Sequence, residues 1–196
     1  AMQVSFGYTQ TTDYSQDITS QSEAITISSP QNIGRLHNFY LGINSPLPIN
    51  KWWDGYLSVT GFHNQYRAGL GDEKLNQKTF GLNFYVQQNF RLGKGWALQA
   101  SIWYNAPTRE AIFQTRSLGS VNFAARKTVA KGKVTIRLTV NDIFNTQRWK
   151  QTVQFANMDF SYYRKWESRG VGLRLSWNFG KSSYRIRDRE TNSGDI

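Results

Sequence analysis

The sequence predicts an all-β protein, an antiparallel transmembrane β-barrel of about eight strands, and three observations lead there. Period-two alternation of apolar and polar residues runs through most of the chain, whereas helical periodicity is hard to find. Aromatic residues are abundant, at 15% of 196 residues. Short and long connections alternate along the chain, as they do in outer-membrane barrels. In 196 residues there is room for one domain. The charge balance is 24 Lys plus Arg against 13 Asp plus Glu, a net +11. There is no cysteine, which excludes a disulfide scaffold and a thiolate metal site. No stretch approaches the roughly 20 apolar residues of a spanning helix.

The elements follow in order. Val4, Phe6 and Tyr8 open a first strand over 2–10, followed by strands over 25–45 and 52–66 that carry Phe39, Leu41, Ile43, Leu57 and Val59. Phe80, Leu82, Phe84 and Val86 alternate with polar partners in 77–91, and Trp96, Leu98, Ala100 and Ile102 do so in 95–105. The remaining strands are read over 114–128, 133–155 and 158–179, the last carrying Val171, Leu173, Leu175, Trp177 and Phe179. Short turns are expected at Ser45–Asn50, Leu92–Gly95 and Ala130–Lys133, with Gly and Pro supplying the turn angles. Longer polar loops are expected around 10–24, 67–76 and 105–113. Residues 1–180 thus form the barrel, and 181–196 form a charged tail.

Low mean hydropathy (−0.58) suits a barrel, because only every second residue meets lipid. Trp53, Phe90, Trp96 and Phe179 fall on the apolar face near short turns or the strand end, where an interfacial aromatic girdle belongs. On the opposite, lumen-facing side the alternation places Arg126, Arg137 and Arg174 at similar depth, with Asp54 as the nearby carboxylate. Three guanidiniums and one carboxylate crowd a closed eight-stranded barrel, whose interior is just filled by side chains. A wider barrel, wetted or occupied by an acidic plug, relieves them.

Two segments are similar to a known family. Val134–Thr146, containing the run Asn141-Asp142-Ile143-Phe144-Asn145, resembles the penultimate-strand motif of TonB-dependent receptor barrels. Gly172–Lys181, reading Leu175-Ser176-Trp177-Asn178-Phe179-Gly180-Lys181 at its end, resembles their terminal strand. The form is most similar to the outer-membrane β-barrel proteins of Bacteroidetes, relatives of the SusC-like importers. That resemblance implies the last part of a barrel of about 22 strands, with a plug domain and a TonB-contacting segment in a missing N-terminal part. It also implies an integral place in the bacterial outer membrane, a periplasmic C-terminus and import of a nutrient. Val171, Leu173, Leu175, Trp177 and Phe179 resemble the β-signal read by the barrel-assembly machinery.

Loop residues Tyr66, Arg67, Trp149, Tyr162, Tyr163, Arg164 and Trp166 are candidate ligand contacts. Expected partners are outer-membrane lipid, lipopolysaccharide and a surface lipoprotein. The basic residues form no aromatic-interleaved stripe, so nucleic acid is not expected. His37 and His63 sit in no catalytic or metal-binding constellation, so no enzyme activity, cofactor or metal is expected. The rival readings are a complete small eight-stranded barrel and a structural or partner-binding barrel in an envelope complex.

Overall fold

In the computed structural model, residues 1–22, 25–70, 73–155 and 158–179 are described. They contain strands and turns, with no α-helix. The strands are β1 (Gln3–Ser22), β2 (Ile25–Pro48), β3 (Trp53–Leu70), β4 (Glu73–Gly93), β5 (Trp96–Asn105), β6 (Thr108–Glu110), β7 (Phe113–Thr115), β8 (Leu118–Val129), β9 (Val134–Asn141), β10 (Arg148–Phe155), β11 (Met158–Lys165) and β12 (Gly170–Trp177). Eight of them form one antiparallel sheet in the order β1-β2-β3-β4-β5-β8-β9-β12, with both edges free. The other four form a second sheet, β11-β10-β7-β6.

The eight-strand wall is the one that alternation predicts. Register puts Val171, Leu173 and Leu175 of β12 opposite Val140, Leu138 and Ile136 of β9. The apolar face they share is bare: Phe6 is 85% exposed and Leu173 74%. Val4, Phe80, Val171, Leu175 and Phe179 are exposed as well. A water-soluble sandwich would turn these side chains inward, and a continuous exposed apolar surface of this kind needs an apolar surrounding.

Aromatic side chains collect at the short-turn end of that face. Trp53 and Phe90 face each other in register and stack at 5.7 Å, joined by Trp52 at 6.0 Å from Trp53. Lys127 Nζ lies 4.7 Å over the Trp96 ring and donates to the Lys94 carbonyl at 2.9 Å. Trp177 and Phe179 stack at 4.7 Å. The turns themselves are tight. Asn50 Oδ1 accepts from the main-chain N–H groups of Trp52 and Trp53. Gly93, Lys94 and Gly95 all take positive φ, and Gly95 presses so closely on the Thr128 carbonyl that a Cβ has no room.

The long-loop end departs from expectation in three ways. First, the stretches expected to be loops at 10–24 and 67–76 are largely strand. β1 and β2 stay paired to Ser22↔Ile25, and β3 and β4 to Leu70↔Glu73. Among the described side chains of these extensions, Tyr14, Ile18 and Leu75 pack into the protein core rather than alternate against lipid. Second, the strand expected over 114–128 begins at Leu118, and Phe113–Thr115 belongs to the second sheet. Third, the strands expected over 133–155 and 158–179 are each two strands, broken at 142–147 and 166–169. Asp142 and Asn145 take φ of +43° and +54° there, a conformation these two residue types tolerate better than most. The tail 181–196 lies outside the described residues.

The second sheet explains where the buried core lies. Ile18, Tyr66, Ala111, Ile112, Phe113 and Val153 are buried together, with Tyr14, Leu36, Leu75 and Phe160 packed against them. The cluster joins the extended ends of β1–β4 to β7 and β10–β11, so the hydrophobic core sits beyond the wall rather than behind it.

On the polar face of the wall, aromatic rings lie over cross-strand glycines: Tyr40 over Gly7 and Phe62 over Gly81. A methyl group at Gly81 enters the Phe62 ring, whereas one at Gly61, on the apolar face, meets only the Phe80 ring at 3.7 Å. Gly81→Ala is therefore predicted to lower unfolding stability in detergent by about 1 kcal/mol, the low end of overpacking costs, and Gly61→Ala to leave it unchanged. Equal urea midpoints for the two variants would refute this.

Candidate functional site

Alternation with register defines a polar row across the wall. Arg91 of β4 faces Ala97 of β5, Ala97 faces Arg126 of β8, Arg126 faces Arg137 of β9, and Arg137 faces Arg174 of β12. Four guanidiniums thus share one cross-strand row. Asp54 begins the next row, running through Asn89, Gln99, Ala124, Thr139 and Gly172. The expected grouping of Arg126, Arg137, Arg174 and Asp54 on one face is the arrangement found. Arg91 was missed, although its odd position in β4, in phase with Gln87 and Asn89, places it on the same face.

The two rows are wired together. Arg91 Nη2 lies 2.5 Å from Asp54 Oδ2, the only ion pair among the described residues. Asn89 Nδ2 donates to Asp54 Oδ1 at 2.8 Å, Gln99 Nε2 to Asn89 Oδ1 at 3.2 Å, and Arg137 Nη2 to Gln99 Oε1 at 2.8 Å. The amides carry the polarity of one carboxylate across three strands to Arg137. The guanidinium groups of Arg126 and Arg174 have no hydrogen bond or ion pair among the described residues. Asn89, Arg91, Gln99, Arg126 and Arg137 line a polar hollow of about 200 Å³. Such a surface attracts anions and holds water.

The candidate ligand residues do not form one site. Tyr66 is 2% exposed in the core, so its expected role as a ligand contact is corrected to packing. Arg67 sits opposite Arg35 and Asn76 in the β2–β4 ladder. On the β10–β11 hairpin, Trp149 stacks with Tyr162 at 6.4 Å, and Arg164 lies 5.7 Å over Trp166. Tyr163 pairs with Lys150 in the alternate phase, on the opposite face of the hairpin. His37 Nδ1 is 2.8 Å from the Tyr8 hydroxyl, and His63 lies against Phe39, both on the apolar face.

Asp142 is the most heavily bonded side chain at the long-loop end, and it is fully buried. Its carboxylate accepts from the Thr146 N–H (2.9 Å) and hydroxyl (2.8 Å), the Gln147 N–H (3.1 Å) and the Ser168 hydroxyl. The family-like run at 141–145 is therefore a corner that ties the two legs of the β10–β11 hairpin to the wall. Burial alone raises the Asp142 pKa, but the donors from Ser168, Thr146 and Gln147 outweigh it and hold the value at about 2. A depressed carboxylate stabilises above its unfolded value of 3.8 and loses that contribution as pH falls toward about 2. Proteolysis within 148–165 is thus predicted to stay slow at pH 5 and to accelerate below about pH 3. Asp142→Ala should bring the acid-state cleavage rate to neutral pH. An unchanged rate in that variant would remove the corner from this role.

Comparison with known sequences adds one match. Residues 1–177 match the model of the outer membrane protein beta-barrel family. No curated protein and no solved structure matches significantly. The exposed apolar face, the aromatic band and the wall of alternating strands agree with that match. This chain belongs to the outer membrane protein β-barrel family and has its place in the outer membrane.

Proposed function

We propose that the chain is wall from an energy-coupled importer, a TonB-dependent receptor of the SusC-like kind. The observation that carries this reading is the row Arg91, Arg126, Arg137 and Arg174, served by the single carboxylate of Asp54. Closed on itself, an eight-stranded barrel has an interior just filled by side chains. Four guanidiniums packed there with one counter-charge carry a large desolvation penalty. A wide lumen removes it, because water or an acidic plug meets the arginines.

In this reading the wall does no chemistry. It holds the pore and seats a plug. Through the β10–β11 hairpin it presents aromatic and cationic side chains to cargo, lipopolysaccharide or a surface lipoprotein. The free edge of β12, with Val171, Leu173, Leu175, Trp177 and Phe179 on its apolar face, suits recognition by the assembly machinery through strand addition. In this reading the short-turn end of the wall, which carries Trp177 and Phe179, faces the periplasm. The wall's count of eight strands favours, as a second reading, a small complete or partner-binding barrel.

In cells carrying the full-length protein, uptake of oligosaccharide and peptide mixtures should require both the proton-motive force and TonB. The combined variant R126E/R137E/R174E, still assembled as judged by heat-modifiable migration, should lose about tenfold or more of that uptake, because like charges now face an acidic plug. Uptake that survives uncoupling would contradict import by this route and favour the second reading.

A further inference from the structure

The wall has a notch at its long-loop end. β5 stops at Asn105, opposite Asn83, and the last bond across this edge runs from the Ala106 N–H to the Leu82 carbonyl. Farther along β4 no strand of the wall pairs on that side. Main-chain groups point the same way at every second residue of a strand. Those of Phe80 and Lys78 therefore point into the gap, as those of Leu82 do. The chain leaves β5 through Pro107 and returns as β6 and β7, which form the far bank.

Between the banks lies a cleft of about 570 Å³. Three cations line it, Lys78, Arg109 and Arg116, and none has an ion-pair partner among the described residues. Glu110, the neighbouring carboxylate, forms no ion pair with any of them. Thr108, Gln114, Thr115 and Thr152 add hydroxyl and amide groups to the rim. At the floor is Thr79, only 7% exposed, whose Oγ1 is buried without a hydrogen-bond partner. A buried hydroxyl left unpaired costs free energy, and free backbone groups beside three uncompensated cations add to the deficit. A ligand that is anionic and rich in hydroxyl groups would meet both needs.

We infer that this cleft binds a phosphorylated sugar. The phosphate meets Arg109, Arg116 and Lys78, since guanidinium and phosphate make paired charge-assisted hydrogen bonds. The sugar hydroxyls bond the threonines and the open edge of β4. The same chemistry comes from two sources, a free sugar phosphate or the head group of an outer-leaflet glycolipid, and the cleft opens beside the exposed Phe80 on the apolar face. The inference is independent of import, because binding is measurable whether or not uptake requires energy.

The test uses the full-length protein purified in detergent, with glucose 6-phosphate and glucose titrated by calorimetry. In parallel, retention of diphosphorylated lipid A is measured after reconstitution into phosphatidylcholine nanodiscs. Glucose 6-phosphate binding that exceeds glucose by about tenfold or more identifies a soluble source. Retention of lipid A without binding of the free sugar phosphate identifies the membrane source. In either case R109A/R116A should weaken binding by about tenfold or more, and T79V, which keeps the shape of the side chain, by a few-fold. Heat-modifiable migration establishes that each variant is folded. The inference is overturned if neither ligand binds, if glucose binds as well as its phosphate, or if folded R109A/R116A binds like the wild type.

Discussion

Everything in this structure depends on the need to pair main-chain N–H and C=O groups where no water can reach them. In hydrocarbon an unpaired peptide group costs several kcal/mol, so a spanning strand must be bonded along its length by neighbours. The ladders meet that demand between β1 and β12 and leave it open at the two free edges, which call for further strands or closure. Once the backbone is satisfied, side chains are free to differ by face: Val171, Leu173 and Leu175 point to lipid while Gly172, Arg174 and Ser176 face the other way. The polar face can then carry an arginine row that a packed core would reject.

Beyond the lipid the rules change, and the chain changes with them. Water can satisfy the backbone there, so strands can end, branch and fold back. The corner at Asp142 is where this happens on β9. Its carboxylate replaces ladder bonds with side-chain bonds and turns the chain into the β10–β11 hairpin. The ordinary hydrophobic core of Ile18, Tyr66, Phe113 and Val153 lies on this side. The molecule therefore combines two stabilising solutions, a lipid-embedded wall and a water-exposed second sheet.

The wall was legible because lipid imposes strict alternation, and a period of two survives in the sequence from Val4 to Phe179. The shared face of Arg126, Arg137 and Arg174 was legible for the same reason. The extensions of β1–β4 were not, since residues 9–22 pair with β2 through backbone bonds while Tyr14 and Ile18 turn into the protein core instead of alternating toward lipid. The second sheet was missed although β10 and β11 carry Trp149, Val153, Phe160 and Tyr162 in the phase opposite to the apolar residues of β9 and β12, a slip that marks the breaks at 142–147 and 166–169. The ion pair of Arg91 with Asp54 needed the register, which sequence spacing alone does not fix. The cleft beside Thr79 depends on where β5 stops, a tertiary fact.

The central claim is that one face of the wall meets lipid and the other meets water. Nitroxide labels placed singly from Val171 to Trp177 in the reconstituted full-length protein test it most directly. Collision rates with dissolved oxygen, which partitions into lipid, and with a water-soluble nickel chelate should oscillate with a period of two and in opposite phase. Oxygen should dominate at 171, 173, 175 and 177, and nickel at 172, 174 and 176. Equal exposure of both sets to the nickel chelate, or oscillation of the two probes in phase, would contradict the account.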